Sequence, residues 1–154
     1  MFIFRFSKIF AFSFGLLLIN GPVASQQLIE VCASCQYRTL KSAIAAATAG
    51  ATIKVKEGVY KENRIQIDKK LSLVAEGKVI VDANGEGHGF ILYKTQNVSI
   101  TGFTIQNTGM SYTEEFSGVR AIESKDCTIA SNTFLDTTYA VYLENSEACL
   151  VADN

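Results

Sequence analysis

Two pairs of cysteines carry the most reactive side chains of this sequence, and their spacings differ. Cys32 and Cys35 form a Cys-x-x-Cys motif just before a predicted helix. Two thiolates at this spacing can bind a soft cation such as Cu(I) from one side, and the same motif can close into a disulfide in an oxidising compartment. We favour the structural disulfide over metal or redox use. If the chain holds a soft metal, its ligands are predicted at this pair.

The second pair, Cys127 and Cys149, occupies one position of an internal repeat. Residues 124–132 recur as residues 146–154 with a constant offset of 22. In both copies the cysteine alternates with an aliphatic residue, Ile129 or Val151, and therefore should face the interior. A buried thiol behaves as a small hydrophobic group, so we predict a structural ladder of core cysteines. A disulfide between them is geometrically possible but not indicated.

A third group of candidate residues lies between Asn107 and Gly118, where the repeat needs 7 extra residues. Such insertions become surface loops, and loops often carry function. This one contains four residues that could contact a copper ion or a partner protein: Met110, Tyr112, Glu114 and Glu115. The alternative is a polar loop in which Met110 and Phe116 fold onto the coil, and both interpretations stay open.

His88 is the only histidine of the chain and lies in a glycine-rich turn, residues 84–89. A single imidazole cannot build a zinc site without further ligands. We therefore predict that His88 is a solvated turn residue.

Carboxylates are not paired in the way that sugar chemistry requires. Hydrolysis of a glycosidic bond needs two carboxylates at the bond, and elimination from uronates needs a base beside a neutralised carboxylate. In the 22-residue alignment Asp126 faces Ala148 and Glu123 faces Asn145, so no stacked acidic cluster is predicted, nor a Lys/Arg pair beside one. We expect no catalytic residues. A polysaccharide-acting or carbohydrate-binding protein is the alternative.

The elements that hold these residues are mostly short strands. From Ala51 onward, apolar and polar residues alternate in short runs separated by Gly or Asn-Gly, a pattern typical of strands and turns. Together with the repeat, it predicts an all-β right-handed parallel β-helix with a period of about 22 residues. A β-sandwich would need longer strands and tight hairpins. A helix over about residues 40–47 is predicted to cap the open end of the core.

Three parts are predicted along the chain: a signal peptide over 1–25, an N-terminal segment with the cap helix over 26–50, and β-helix coils over 51–154. Arg5 and Lys8 precede an apolar stretch that is too short to span a membrane, and small residues follow it. No later stretch is apolar enough to cross a bilayer. Because no polar cap follows the last coil, we expect the coils to be incomplete at the C-terminus.

The charge balance excludes some partners. Residues 26–154 contain 12 basic and 15 acidic residues. This weak acidity argues against nucleic acid or an anionic membrane surface as a partner. Cleavage before Gln26 would place the chain in an exported compartment.

Several short motifs resemble the N-terminal portion of the periplasmic nitrous oxide reductase maturation proteins, the NosD family. The similarity spans about residues 31–154. The motifs are Gly-Val-Tyr at 58–60, Ile-Asp-Lys-Lys-Leu-Ser-Leu at 67–73, Val-Asp-Ala at 81–83, Thr-Gly-Met-Ser-Tyr-Thr-Glu-Glu at 108–115 and Tyr-Ala-Val-Tyr-Leu-Glu at 139–144.

The resemblance implies a non-catalytic periplasmic protein with a copper-related role, exported by the general pathway. It implies work beside an ABC transporter, a membrane permease with its ATPase, in building the copper–sulfide centre of nitrous oxide reductase during denitrification. Copper is the cofactor that it suggests. Family members are longer than this chain, so surfaces formed by their later coils are not expected here.

Overall fold

The computed structural model describes residues 26–154, so the signal peptide predicted at 1–25 lies outside the described residues. The described part contains one helix, α1 (Leu40–Ala46), and no helix in it is long and apolar enough to cross a membrane. Its strands are β1 (Leu28–Val31), β2 (Thr52–Lys61), β3 (Ile65–Ile67), β4 (Ser72–Asp82), β5 (Phe90–Tyr93), β6 (Ser99–Thr101), β7 (Thr104–Gly109), β8 (Ser117–Ile122), β9 (Thr128–Ala130), β10 (Thr133–Thr137), β11 (Tyr139–Glu144) and β12 (Leu150–Ala152).

The strands stack in parallel on three faces, which confirms the predicted parallel β-helix. The first face has the order β1-β2-β4-β6-β9-β12. The second face joins the C-terminal halves of β2 and β4 to β7 and then β10. The third face has the order β3-β5-β8-β11. Because β2 and β4 each run through a corner onto a second face, they are longer than the sequence suggested, and their register shifts between Lys56 and Gly58.

Coil length varies although the stacking register is kept. An offset of 22 is confirmed in the last coil, where Val119 pairs with Val141. The preceding coil has an offset of 29, with Ser99 opposite Thr128, which confirms the insertion of 7 residues. Lower down, Ile53 lies opposite Leu73, an offset of only 20. The alternation of buried and exposed positions therefore holds the fold together while corners and loops change length.

The core is a set of ladders of apolar side chains, one ladder inside each face. On the first face Ile53, Leu73, Ile100 and Ile129 follow one another in register, and none of the four is accessible to solvent. Burying each aliphatic side chain contributes roughly 1.5–3 kcal/mol. Because every coil supplies one such residue per ladder, each coil is stabilised by its neighbours.

Helix α1 closes the lower end of this core, as predicted. The Thr39 hydroxyl accepts a hydrogen bond from the Ser42 amide at 3.2 Å and caps the helix. Glu62 accepts the first two helix amides at 2.6 and 3.0 Å, and the Lys69 ammonium donates to two carbonyls at the other helix end at 3.2 and 3.3 Å. Both side chains complement the helix dipole. The apolar face of the helix, formed by Leu40, Ala43 and Ile44, is buried.

Candidate functional site

The predicted insertion loop is residues 110–116, between β7 and β8, and it has a defined conformation. The Ser111 hydroxyl accepts the Glu114 amide at 3.0 Å, and the Ser111 carbonyl accepts the Phe116 amide at 3.1 Å. Phe116 packs edge-on against His88 at 5.6 Å between ring centroids. Met110 and Tyr112 point outward, with 80% and 70% of their surface exposed. Phe116 thus anchors the loop to the coil, and Met110 does not.

Arg120, on β8, ties the loop to the third face. One guanidinium nitrogen donates to Glu115 at 2.9 Å and to Glu144 on β11 at 2.7 Å, and another donates to the Glu114 carbonyl at 3.2 Å. The guanidinium also lies over the Tyr142 ring, 5.4 Å from its centroid. The repeat pattern did not predict this cluster. Glu115 belongs to the inserted loop and therefore has no equivalent in the repeat alignment.

The prediction of no stacked acidic cluster was wrong, because Glu115 and Glu144 of consecutive coils meet at Arg120. This pair nevertheless does not have the form of an acid–base centre. The Tyr142 hydroxyl donates to Glu115 at 2.5 Å, and this hydrogen bond raises the pKa of Tyr142 and keeps the phenol protonated. The two carboxylates Glu115 and Glu144 are already engaged by Arg120. A general base needs a carboxylate that is available to substrate. The cluster is arranged to hold the loop.

Above this cluster the tyrosines form a row beside an open groove. Tyr112 contacts Tyr139 edge-on with ring centroids 6.5 Å apart, and Tyr139 lies 5.5 Å from Tyr142. The groove has a volume of about 350 Å³ and is lined by Asn107, Gly109, Met110, Tyr112, Asp136, Thr137 and Thr138. It combines an aromatic wall and a thioether with hydroxyl, amide and carboxylate groups.

His88 is not the solvated residue that its glycine-rich turn suggested, since only 7% of its surface is exposed. Its Nδ1 accepts the Ser117 amide at 3.2 Å and lies 3.1 Å from the Ser117 hydroxyl. Burial lowers the pKa of His88, and the charges of Arg120 and Arg64 lower it further. The imidazole is therefore neutral near pH 7 and acts as a buried hydrogen-bond acceptor.

Cys32 and Cys35 are joined by a disulfide with 5.0 Å between their Cα atoms. The pair forms a tight turn directly after β1, in which the Cys35 amide donates to the Cys32 carbonyl at 3.2 Å. In this state both sulfurs are bonded to each other and neither is a thiolate ligand. The turn lies outside the ladder core and carries the chain toward α1.

Cys127 and Cys149 are thiols on consecutive coils, placed by the pairing of β9 with β12. Cys127 is buried in the core, and Cys149 packs against that core while remaining half-buried. Burial raises the pKa of Cys127 to about 11, so the thiol stays protonated at neutral pH. The pair packs with the core, and the buried Cys127 offers no thiolate.

The described residues do not assemble a metal centre as they stand. Between residues 26 and 154 no three side chains among His, Cys, Asp and Glu converge closely enough to hold an ion. A soft-metal site built from these residues would therefore rest on two sulfurs. Of the two pairs, only Cys32 and Cys35 lie outside the core, where reduction of the disulfide would make two thiolates available.

Comparison with protein families gives one match. A family model described as "Periplasmic copper-binding protein (NosD)" matches residues 42–154, which run from within α1 to the end of the last coil. No curated protein and no solved structure matches the chain.

Proposed function

The chain belongs to the NosD family of periplasmic copper-binding proteins, and we propose that it is a non-catalytic accessory protein for assembly of the copper–sulfide centre of nitrous oxide reductase, acting with an ABC transporter. The observation that carries this proposal is the family match along residues 42–154, which covers every complete coil. A rigid solenoid suits such a role because it displays loops without needing to change shape.

In this proposal the partner-binding residues are those of the insertion loop: Met110, Tyr112, Glu114 and Glu115. The loop is held by Arg120 yet leaves Met110 and Tyr112 exposed. A preformed surface loses little conformational entropy when a partner docks. The transporter permease and nitrous oxide reductase are the proposed partners.

The proposed copper ligands are Cys32 and Cys35 in their reduced form. Opening the disulfide by a thiol reductant would yield two soft thiolates beside α1, the ligand type that suits Cu(I). The surrounding residues would hold the turn in place, since the Cys32 amide donates to the Tyr37 carbonyl at 3.1 Å. Affinity should fall as pH falls, because protons compete with the metal for the thiolates.

A Cu(I) competition titration of the reduced protein tests this ligand assignment. The double variant Cys32→Ser with Cys35→Ser should lose most of the binding, whereas Cys127→Ser with Cys149→Ser should keep it. Unchanged binding in the first variant would place the metal elsewhere. No binding by the reduced wild type would leave the pair as a purely structural link.

The assembly role itself is tested by producing nitrous oxide reductase with the transporter, in the presence and absence of this chain. We expect the purified reductase to lack copper and sulfide at its copper–sulfide centre when the chain is omitted. Equal copper and sulfide content in both preparations would reject the proposal.

A polysaccharide-acting protein is the competing function. The contacts of Arg120 argue against this function, because they engage Glu115 and Glu144, the two carboxylates that come together at the third face. Incubation with pectin and alginate should release no reducing or unsaturated ends. Release that is abolished by Glu115→Gln would show the competing function to be correct.

A further inference from the structure

The surface around the row of tyrosines on the upper coils has more carboxylates than its internal ion pairs neutralise. We call this surface the tyrosine face and define it by Tyr112, Tyr139 and Tyr142 with the groove beside Met110 and Asp136. Glu115 and Glu144 contact Arg120 there, Asp136 lines the groove, and Glu114 belongs to the same loop, so four carboxylates accompany the single cation Arg120. Its formal charge is therefore −3.

Two of these carboxylates are satisfied within the molecule and two are not. Arg120 binds Glu115 and Glu144. Glu114 and Asp136 are exposed, and neither takes part in an ion pair anywhere in residues 26–154. Asp136 lines the same groove as Tyr112, which is itself 70% exposed.

The occupied half of the surface shows which ligand the chemistry suits. Around Arg120, two carboxylates bind a guanidinium from the side while the Tyr142 ring lies under it at 5.4 Å. Carboxylates with an aromatic ring are a favourable environment for a cation, through ion pairing and cation–π attraction. Tyr112, which contacts Tyr139, shares the groove with Asp136, and these residues offer the same groups without an ion pair to a cation in residues 26–154.

The surface is also held in place before any ligand arrives. The Ser111 amide donates to the Thr138 hydroxyl at 3.2 Å, and that hydroxyl donates to the Gly109 carbonyl at 3.2 Å. These bonds fasten the loop across the groove to β10 and β11. Because the loop is already ordered, a ligand would not have to order it.

We propose that the tyrosine face binds a basic segment of a partner protein, with an arginine or lysine side chain entering the groove between Tyr112 and Asp136. The proposal rests on the accessory role above for the partner being a protein, and it adds the chemistry of the segment that is recognised. Charge complementarity distinguishes it from an uncharged glycan, which would gain nothing from Glu114 and Asp136.

Binding of a short fluorescent peptide of alternating arginine and glycine to the full chain tests the proposal. The control peptide replaces arginine by citrulline, which keeps the shape and removes the charge. We expect the arginine peptide to bind at least about tenfold more tightly than the citrulline peptide, and to weaken as salt rises. Equal binding of both peptides, or no binding of either at low salt, would overturn the proposal.

Variants locate the site. Tyr112→Ala with Asp136→Asn changes two exposed side chains and should weaken peptide binding about tenfold. The matched control is Tyr93→Ala, an exposed tyrosine whose ring already has the Lys94 ammonium at 5.2 Å, and it should leave binding unchanged. Equal effects of the two variants, or binding of a neutral oligosaccharide that Tyr112→Ala abolishes, would reject a cation site.

This test uses neither copper nor nitrous oxide reductase, so it separates the two proposals. A chain that binds the arginine peptide but does not affect loading of the reductase keeps this inference and loses the proposed function. A chain that supports loading but ignores the peptide loses this inference alone.

Discussion

The lower and upper parts of the solenoid share one architecture and carry opposite charge. The lower part, residues 26–70, has eight basic and four acidic residues, whereas the upper part, residues 71–154, has four basic and eleven acidic residues. Side chains that face the core repeat from coil to coil, so the difference lies wholly in outward residues. Substitution of outward residues can therefore change which partner a coil binds without changing the fold of the coil.

Coverage of the apolar positions also differs between the helix and the last described coil. At the lower end α1 covers the ladders, and Leu40 is inaccessible to solvent. In the last described coil Val151 stacks on the buried Ile129 of the preceding coil and is 44% exposed. An alternating pattern places a side chain on the inner face, but a neighbouring element has to cover it before it is buried.

The two cysteine pairs also differ between the lower and upper parts. In the lower part, sulfurs close in sequence are joined outside the core. In the upper part, sulfurs far apart in sequence are brought together by stacking and remain thiols. Local spacing decides the first arrangement and coil register decides the second.

Matched truncations at the two ends sharpen this comparison most strongly. We expect Leu40→Ala to lower the free energy of unfolding by about 3 kcal/mol, because it leaves a cavity under the cap helix. Leu150→Ala removes an exposed side chain and should cost no more than about 0.5 kcal/mol. Urea unfolding of both variants provides the measurement, and similar losses would contradict the cavity expected under the cap helix.

Reduction of the disulfide separates the two cysteine pairs. A thiol reductant should lower the free energy of unfolding of the wild type by about 2 kcal/mol, because it releases the short loop closed by Cys32 and Cys35. The variant Cys127→Ala with Cys149→Ala should respond to reductant in the same way. If its response disappeared, a disulfide of the upper pair would have to form in solution.

Ion pairs in the two parts should also differ in strength. Arg120→Gln breaks a half-buried contact with two carboxylates and should cost about 1.5 kcal/mol. Lys56→Gln removes exposed pairs with Glu30 and Glu76, and should cost clearly less than Arg120→Gln because solvent screens them. This holds although Lys54 and Lys56 keep the pKa of Glu76 at about 2. Equal costs in thermal unfolding would remove the distinction.

A smaller effect should come from His88, the buried base of the upper part. Its pKa in the folded state lies below the ordinary 6.5, chiefly because of burial, so the unfolded chain binds a proton more readily. Stability should be complete above pH 6.5 and fall as the pH drops from there toward the lowered pKa of His88. His88→Asn keeps an acceptor for the Ser117 amide without titrating in this range, so its stability should lack this decline. An unchanged profile would assign the decline to other groups.

The sequence by itself determined the class of fold, the insertion, the cap helix and the family. Each depends on a local pattern: alternating residues such as Ile53 and Val55 specify a strand and its inner face, and helical spacing from Leu40 specifies the helix. The offset of 22 was readable because residues 124–132 and 146–154, on consecutive coils, align along their whole length without a gap. Where corners and loops changed length, periodicity alone could not give the register.

Only the tertiary structure decided which side chains meet between coils. Glu62 reaches α1, Glu115 meets Glu144 at Arg120, and Phe116 covers His88, and in each case the partners lie on different coils or loops. Contacts of this kind depend on the path of a loop and on which coil stacks above, neither of which leaves a periodic trace in the sequence. The core residues could be predicted because buried positions repeat from coil to coil. The contacts of the tyrosine face could not, because they occur only once.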